Sequence, residues 1–239
     1  MGVDSRAIIA AGNNADLYAA MFASRGLDYQ RLPYAFVGLD LPPPYYSNLT
    51  VLAPGHADEI MAQLGWLATK FTGAIGLKDS FGELELQANG FETLFGASWI
   101  WRDPGLQTCQ SGWERIESEA DLELWEAAWN QAGSPSSNRL FAPGLLDRKD
   151  IVFLGYRVNG AIEAGCIANI SEKCIGLSNV FARAPSQDVF AQAAAAVACV
   201  APHLPIAGYE SGDDICHALK AGFLTVGDLR ILVAKAARF

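Results

Sequence analysis

Glu210 closes the apolar run P-I-A-G-Y-E and is followed at once by S-G-D-D, so it is predicted to end a strand just before a helix begins. A carboxylate placed there can take a proton from an attacking nucleophile. It can equally pair with an arginine or cap the helix that starts near Asp213. Tyr209, its neighbour, alternates to the other face of the strand, as a second polar group or as core packing. A different chemistry is offered where F-A-R-A-P-S-Q-D runs from a strand into an alanine-rich helix. Such a helix leaves its first backbone N–H groups unpaired and turns the positive end of its dipole outward, which suits a diphosphate. Arg183, Ser186 and Gln187 stand at this entry. Ser186 as a cap and Asp188 as a favourable first-turn charge could also satisfy the helix end with no ligand. His217, in the middle of an amphipathic stretch, reads as solvated or core-lining.

The elements that carry these residues are foreshadowed earlier in the chain. S-N-V-F-A-R-A-P-S at Ser178 has a counterpart, S-N-L-T-V-L-A-P-G, at Ser47, 131 positions before it. Each phrase is followed by a helix-length segment (57–71 and 187–201) and a short apolar strand, G-A-I-G-L-K or P-I-A-G-Y-E. A second, shorter helical stretch then ends in Gly-Phe (82–91 and 214–223), and a closing strand follows. With one inserted residue, Gly76 falls on Gly208 and Lys78 on Glu210. Identities at the same junctions in the same order predict a duplicated supersecondary unit. Gly90 and Gly222 read as helix-terminating glycines with positive φ.

The later unit has a full front end. Over 116–130 a strand end runs into an amphipathic helix, predicted from Leu122, Trp125 and Trp129 at helical spacing with Asp121 near its start. I-V-F-L-G-Y-R-V, the turn Asn159-Gly160 and A-I-E-A-G-C-I-A-N-I predict a β-hairpin, with C-I-G-L-S-N-V-F-A as a third antiparallel strand. The earlier unit has only residues 1–46 for the equivalent, with one strand candidate, Y-A-F-V-G. D-P-G-L-Q-T-C-Q-S-G interrupts the pattern and marks a boundary, giving an abbreviated domain over 1–106 and a complete one over 107–239.

Composition narrows the partners. With 51% hydrophobic and 18% charged residues the chain can bury a large core. A formal charge of -9 without a dense basic cluster disfavours nucleic acid. The alanine-rich run 189–200 is too short to cross a bilayer, so no membrane partner is expected. Five cysteines without C-x-x-C or zinc spacing point away from metal, and their odd number fits a reduced compartment. The start M-G-V-D-S-R lacks the charge pattern of a secretory leader, so a cytoplasmic protein is expected.

The order strand, helix, hairpin, third strand, long helix, strand, helix, strand resembles the GNAT superfamily of N-acetyltransferases, most tellingly in S-N-V-F-A and in G-Y-E-S-G-D-D-I-C-H-A-L-K-A-G-F-L-T-V-G-D-L-R. The resemblance implies an α/β (α+β) fold, a GNAT-like mixed, mostly antiparallel sheet flanked by helices and here duplicated in tandem. It implies an acetyl-CoA-dependent N-acetyltransferase for a small amine or amino-acid-like substrate. Val180, Phe181 and Ala182 would pair their backbone with the pantetheine arm. Arg183, Ser186 and Gln187 would meet the diphosphate, Glu210 would be the base, and Tyr209 would stand beside it. Gly55 and Ala57 leave open that the earlier unit holds the cofactor instead. The tyrosine acid common in the family is replaced by Ala218, which leaves open a catalytically silent acyl-CoA-binding or assembly module. A monomer or weak homodimer is expected.

Overall fold

The computed structural model describes residues 2–105, 111–136, 138–184, 186 and 188–235. In chain order the elements are α1 (Ser5–Ser24), β1 (Tyr29–Arg31), β2 (Ala35–Gly38), β3 (Leu49–Val51), α2 (Ala57–Lys70), β4 (Ile75–Asp79), β5 (Glu92–Arg102), β6 (Trp113–Arg115), α3 (Glu119–Gln131), β7 (Ile151–Val158), β8 (Ala161–Ile170), β9 (Ile175–Ala182), α4 (Val189–Val200), β10 (Ile206–Glu210), α5 (Asp214–Lys220) and β11 (Leu224–Ala234). They fall into two compact units, one running up to Trp99 and taking in the chain again from Thr225, the other spanning Ile100–Leu224. The boundary segment expected around Pro104 to Gly112 lies partly outside the described residues.

In the first unit the strands follow the order β1-β2-β3-β4-β11, with β5 next. Pairing is antiparallel except between β3 and β4, where Leu49 faces Leu77 and Thr50 faces Lys78. One face of β3 and β4 buries Leu49, Val51, Ile75 and Leu77 against Ile60, Leu64 and Leu67 of α2. On α1, the Asp4 side chain caps the helix by accepting from the Arg6 N–H at 2.9 Å. Small residues there, Ala7, Ala10, Ala11 and Ala15, are all buried. The chain's last strand inserts beside β4, with Arg230 opposite Asp79 and Ala234 opposite Ile75.

One expected element is corrected here. The helix predicted over 82–89 is only a 3-10 turn, Gln87–Asn89. Leu84 and Leu86 are buried in alternation with exposed Glu83 and Glu85, which is the period of an extended segment. The segment's backbone is also engaged elsewhere: Leu84 donates its N–H to Asp79 at 3.1 Å, and its carbonyl accepts from Arg230 at 2.7 Å. Gly90 does take the left-handed conformation (φ 84°), and Phe91 is buried behind it.

The second unit carries β10-β9-β8-β7-β6, antiparallel apart from β9 with β10, and the Ile100–Arg102 end of β5 belongs to it. The hairpin turns at Asn159 (φ 50°) and Gly160 (φ 84°), the double positive φ of a two-residue turn. α3 covers one face: Trp125 donates its Nε1–H to the Leu154 carbonyl at 2.8 Å and meets Phe141, Phe153 and Phe181 edge to face. α4 covers the other, with Phe190, Ala193 and Val197 among Val152, Leu154, Leu177 and Ile206. Both units therefore present mixed, mostly antiparallel strands flanked by helices.

Cys166 and Cys174 are buried free thiols and Cys216 is an exposed one, whereas Cys199 of α4 is disulfide-bonded. The reduced state expected from the odd count does not hold for Cys199. Among the described residues no helix is long and apolar enough to cross a membrane.

Candidate functional site

The second unit opens a cleft between two strands. Among the described residues the parallel ladder of β9 and β10 holds only Ile175 with Ile206 and Gly176 with Ala207. At its limit the backbones approach so closely that a Cβ on Gly208 would stand 2.7 Å from the Leu177 carbonyl oxygen. Beyond it β9 bends. On β8, Gly165 faces Phe181 and Ile167 faces Ser178, so Cys166 alone opposes both Asn179 and Val180. Asn179 absorbs this bulge with φ 52°. An asparagine tolerates the left-handed region better than other residues with a side chain, and a bulge of this kind re-aims the strand that carries it.

Glu210 ends β10 on the parting side of this ladder. Among the described residues its carboxylate has no hydrogen-bond or ion-pair partner, and the α5 N-cap position, Asp213, receives no side-chain cap bond. Burial, and then the nearby Asp214 carboxylate, raise its pKa from the ordinary 4.5 to about 8. Both causes favour the protonated acid at neutral pH, and the group titrates where a proton acceptor for an amine is useful. Of the two local roles open to it, pairing with an arginine and capping α5, neither is taken up among the described residues. Tyr209 alternates to the opposite face of β10 and is partly buried.

Phe181 is buried with its ring 5.0 Å from Trp125, while Val180 and Ala182 are half-buried and the Ala182 backbone pairs with Ala164. Arg183 donates its N–H to the Glu163 carbonyl at 2.9 Å and its guanidinium to the Glu163 carboxylate at 3.2 Å. Both side chains of that pair are well exposed, so the contact is weak and replaceable. Asp188 occupies the N-cap position of α4 without a side-chain cap bond. Ser186 is exposed, and Gln187 lies outside the described residues. Among the described residues the first turn of α4 is thus left without side-chain acceptors, which fits an anion. His217 approaches Asp214 at 3.5 Å, and Ala218 is fully buried.

The segment around Ser47 places the same residue types differently. Asn48 donates its N–H to the Gly76 carbonyl at 2.9 Å and accepts the Gly76 N–H on Oδ1 at 2.8 Å, and the ladder continues through Thr50 with Lys78. These strands are closed where β9 and β10 have parted. At the entry to α2 the Gly55 N–H, with φ 79° at this turn, donates to the Glu83 carboxylate at 2.9 Å. Lys78 is fully buried, donating to Asn14 Oδ1 at 2.6 Å. Lys78 at the position aligned with Glu210 marks the two segments as unlike in sequence, but nothing there signals the closure; the role of Glu83 as an internal anion is hidden as well, because residues 82–89 have the composition of a helix.

No protein-family model and no curated protein matches the chain in sequence. Solved structures do match in architecture. An acetyltransferase described as a putative GNAT-family member from Novosphingobium aromaticivorans aligns with TM-score 0.60 at 17% identity, covering 91% of this chain and 96% of that one. A GCN5-related N-acetyltransferase from Kribbella flavida gives 0.61 at 14%, with 92% and 95% covered. N-myristoyltransferase of Saccharomyces cerevisiae, solved with bound myristoyl-CoA, gives 0.55 at 10%, with 89% of this chain and 63% of that chain covered. These identities carry architecture, and the architecture they carry is that of the GNAT-type acyltransferases: the chain has a GNAT-like fold.

Proposed function

We infer that the chain is an acyl-CoA-dependent N-acyltransferase, with acetyl-CoA as donor and a small amine as acceptor, and that the donor binds the cleft between β9 and β10. The observation that carries this reading is the end of the β9–β10 ladder, among the described residues, at Gly176 and Ala207, with the Glu210 carboxylate, which has no partner among the described residues, at the strand end beyond. The backbone of Val180 to Ala182 would pair with the amides of an extended pantetheine arm, as an added strand does. Arg183, Ser186, Gln187 and the first-turn N–H groups of α4 would hold the diphosphate. The donor supplies a thioester whose thiolate leaves readily. Glu210 would take the proton that the amine must lose as it attacks the carbonyl carbon, with Tyr209 on the adjoining backbone position. The buried Ala218 offers no side-chain acid to the departing thiolate.

Turnover of acetyl-CoA with a panel of small amines, followed as free thiol, tests the reading. Glu210→Gln should bind acetyl-CoA with unchanged affinity and lose most of the turnover, on the order of the hundredfold or more that a positioned base contributes. Unchanged turnover in Glu210→Gln would remove this residue from the mechanism. The second reading, a silent acyl-CoA-binding module, draws on Ala218 and on the engagement of Arg183 with Glu163; donor binding without turnover on any amine would favour it.

A further inference from the structure

Glu163 stands directly across the ladder from Arg183. The β8–β9 register pairs Ala164 with Ala182, and one step further the Arg183 N–H donates to the Glu163 carbonyl at 2.9 Å. Side chains of residues opposite each other on antiparallel strands project to the same face, within reach of one another. The Arg183 guanidinium accordingly donates through Nη1 to the Glu163 carboxylate at 3.2 Å. β8 and β9 carry no charged side chain besides Glu163, so on these strands nothing else competes for the guanidinium or offsets the carboxylate.

The form of the contact decides its strength. A guanidinium has five N–H donors and binds an anion best when two of them meet two oxygens. Here one nitrogen meets one oxygen, and the two side chains remain 40% and 38% exposed. Such a pair is weak and screened by solvent. A diphosphate offers more oxygens and more charge than a single carboxylate, so it wins the guanidinium in a direct competition. The displaced carboxylate then stays on the neighbouring strand and repels the anion that replaced it. Competition and repulsion have the same sign, and both loosen the donor.

We propose that Glu163 is a positioning residue for the donor's diphosphate: it holds the Arg183 guanidinium while no donor is bound, yields it on binding, and takes it back as the CoA product leaves. This rests on the assignment of Arg183 to the diphosphate. It makes Glu163 a residue that weakens the binding of donor and product alike, and so speeds the clearing of the cleft after transfer.

Calorimetric titration of the full chain, Glu163→Gln, Arg183→Ala and the double variant with acetyl-CoA and with CoA tests this. Glutamine keeps the size of the side chain and the backbone bond to Arg183, and removes only the charge. Glu163→Gln should bind acetyl-CoA and CoA about two- to fivefold tighter, the range open to a weak exposed pair, and that gain should be largely lost in the Arg183→Ala background. A purely structural role for Glu163 would leave affinity unchanged or lower it. Unchanged or weaker binding by Glu163→Gln overturns the proposal alone, as does an equal gain in both backgrounds. Wild-type binding that Arg183→Ala leaves untouched, or no wild-type binding at millimolar acetyl-CoA, overturns the donor assignment and this proposal with it.

Discussion

The backbone N–H of Gly55 donates to the Glu83 carboxylate at 2.9 Å, so the turn into α2 already holds an anion supplied by the chain itself. The corresponding entry into α4 has no such contact among the described residues: its N-cap residue Asp188 makes no cap bond. Two entries that look alike in sequence are therefore unlike in electrostatics. Glu83→Gln should leave the fold intact at a cost of about 1 kcal/mol in urea unfolding, since the bond is exposed and single. It should leave acetyl-CoA affinity unchanged, because the donor is assigned to the other cleft.

Glu210 sets a pH dependence whose sign is fixed by the direction of its shift. Its folded pKa, about 8, lies above the ordinary 4.5, so the proton is held more tightly in the folded chain. The stability associated with that proton is fully present below pH 4.5 and is lost as pH rises toward 8. Each pH unit of that interval corresponds to about 1.4 kcal/mol at most. Glu210→Gln should match the wild type near pH 4.5 and exceed its Tm increasingly up to pH 8, after which the gap stays constant. If Glu210 is the base, wild-type kcat/KM should also rise with pH up to about 8 and then level. Stability curves of the two proteins that run parallel across this range would show that the carboxylate is not desolvated.

Gly165 is predicted to be intolerant of any side chain. A Cβ there would stand 2.4 Å from Trp125 Nε1 and 2.6 Å from Phe181, both fixed by packing. Gly165→Ala should cost about 1–3 kcal/mol by overpacking, read as a lowered urea midpoint with unchanged slope. Because Phe181 lies on the bulged strand, donor affinity should fall with it.

Arg230 and Asp79 form an ion pair in which the Asp79 side chain is 1% exposed. Asp79 also accepts the Glu83 and Leu84 N–H groups, so this pair anchors the loop that delivers Glu83 to Gly55. Removing the cation leaves a buried carboxylate, and Arg230→Met should destabilise the chain by about 3 kcal/mol.

Much of the second unit was legible because its local signals agree with its tertiary contacts. Asn159-Gly160 fixes a hairpin through two positive φ values, Gly222 ends α5 with φ 85°, and Trp125 and Trp129 sit on the buried stripe of α3 at helical spacing. The first unit was harder to read. α1 is an alanine-rich helix whose apolar stripe is faint, although Asp4 before it was a usable cap signal. The segment 82–89 has good helix formers, yet Asp79 and Arg230 take its backbone groups and hold it extended. The destination of β11, beside β4, depends on pairing between segments about 150 residues apart, which no local pattern encodes. At the cleft, Ser-Asn occurs in both repeated phrases, but only Asn179 takes positive φ; that difference comes from the strand opposite, where Cys166 faces two residues.

Calorimetric titration of the full chain with acetyl-CoA tests the central claim most directly. The account predicts one donor bound per chain, an affinity about tenfold weaker in Arg183→Ala, which corresponds to roughly 1.4 kcal/mol, and the wild-type affinity in Glu210→Gln. Absence of binding at millimolar acetyl-CoA, or binding that Arg183→Ala leaves untouched, would contradict it.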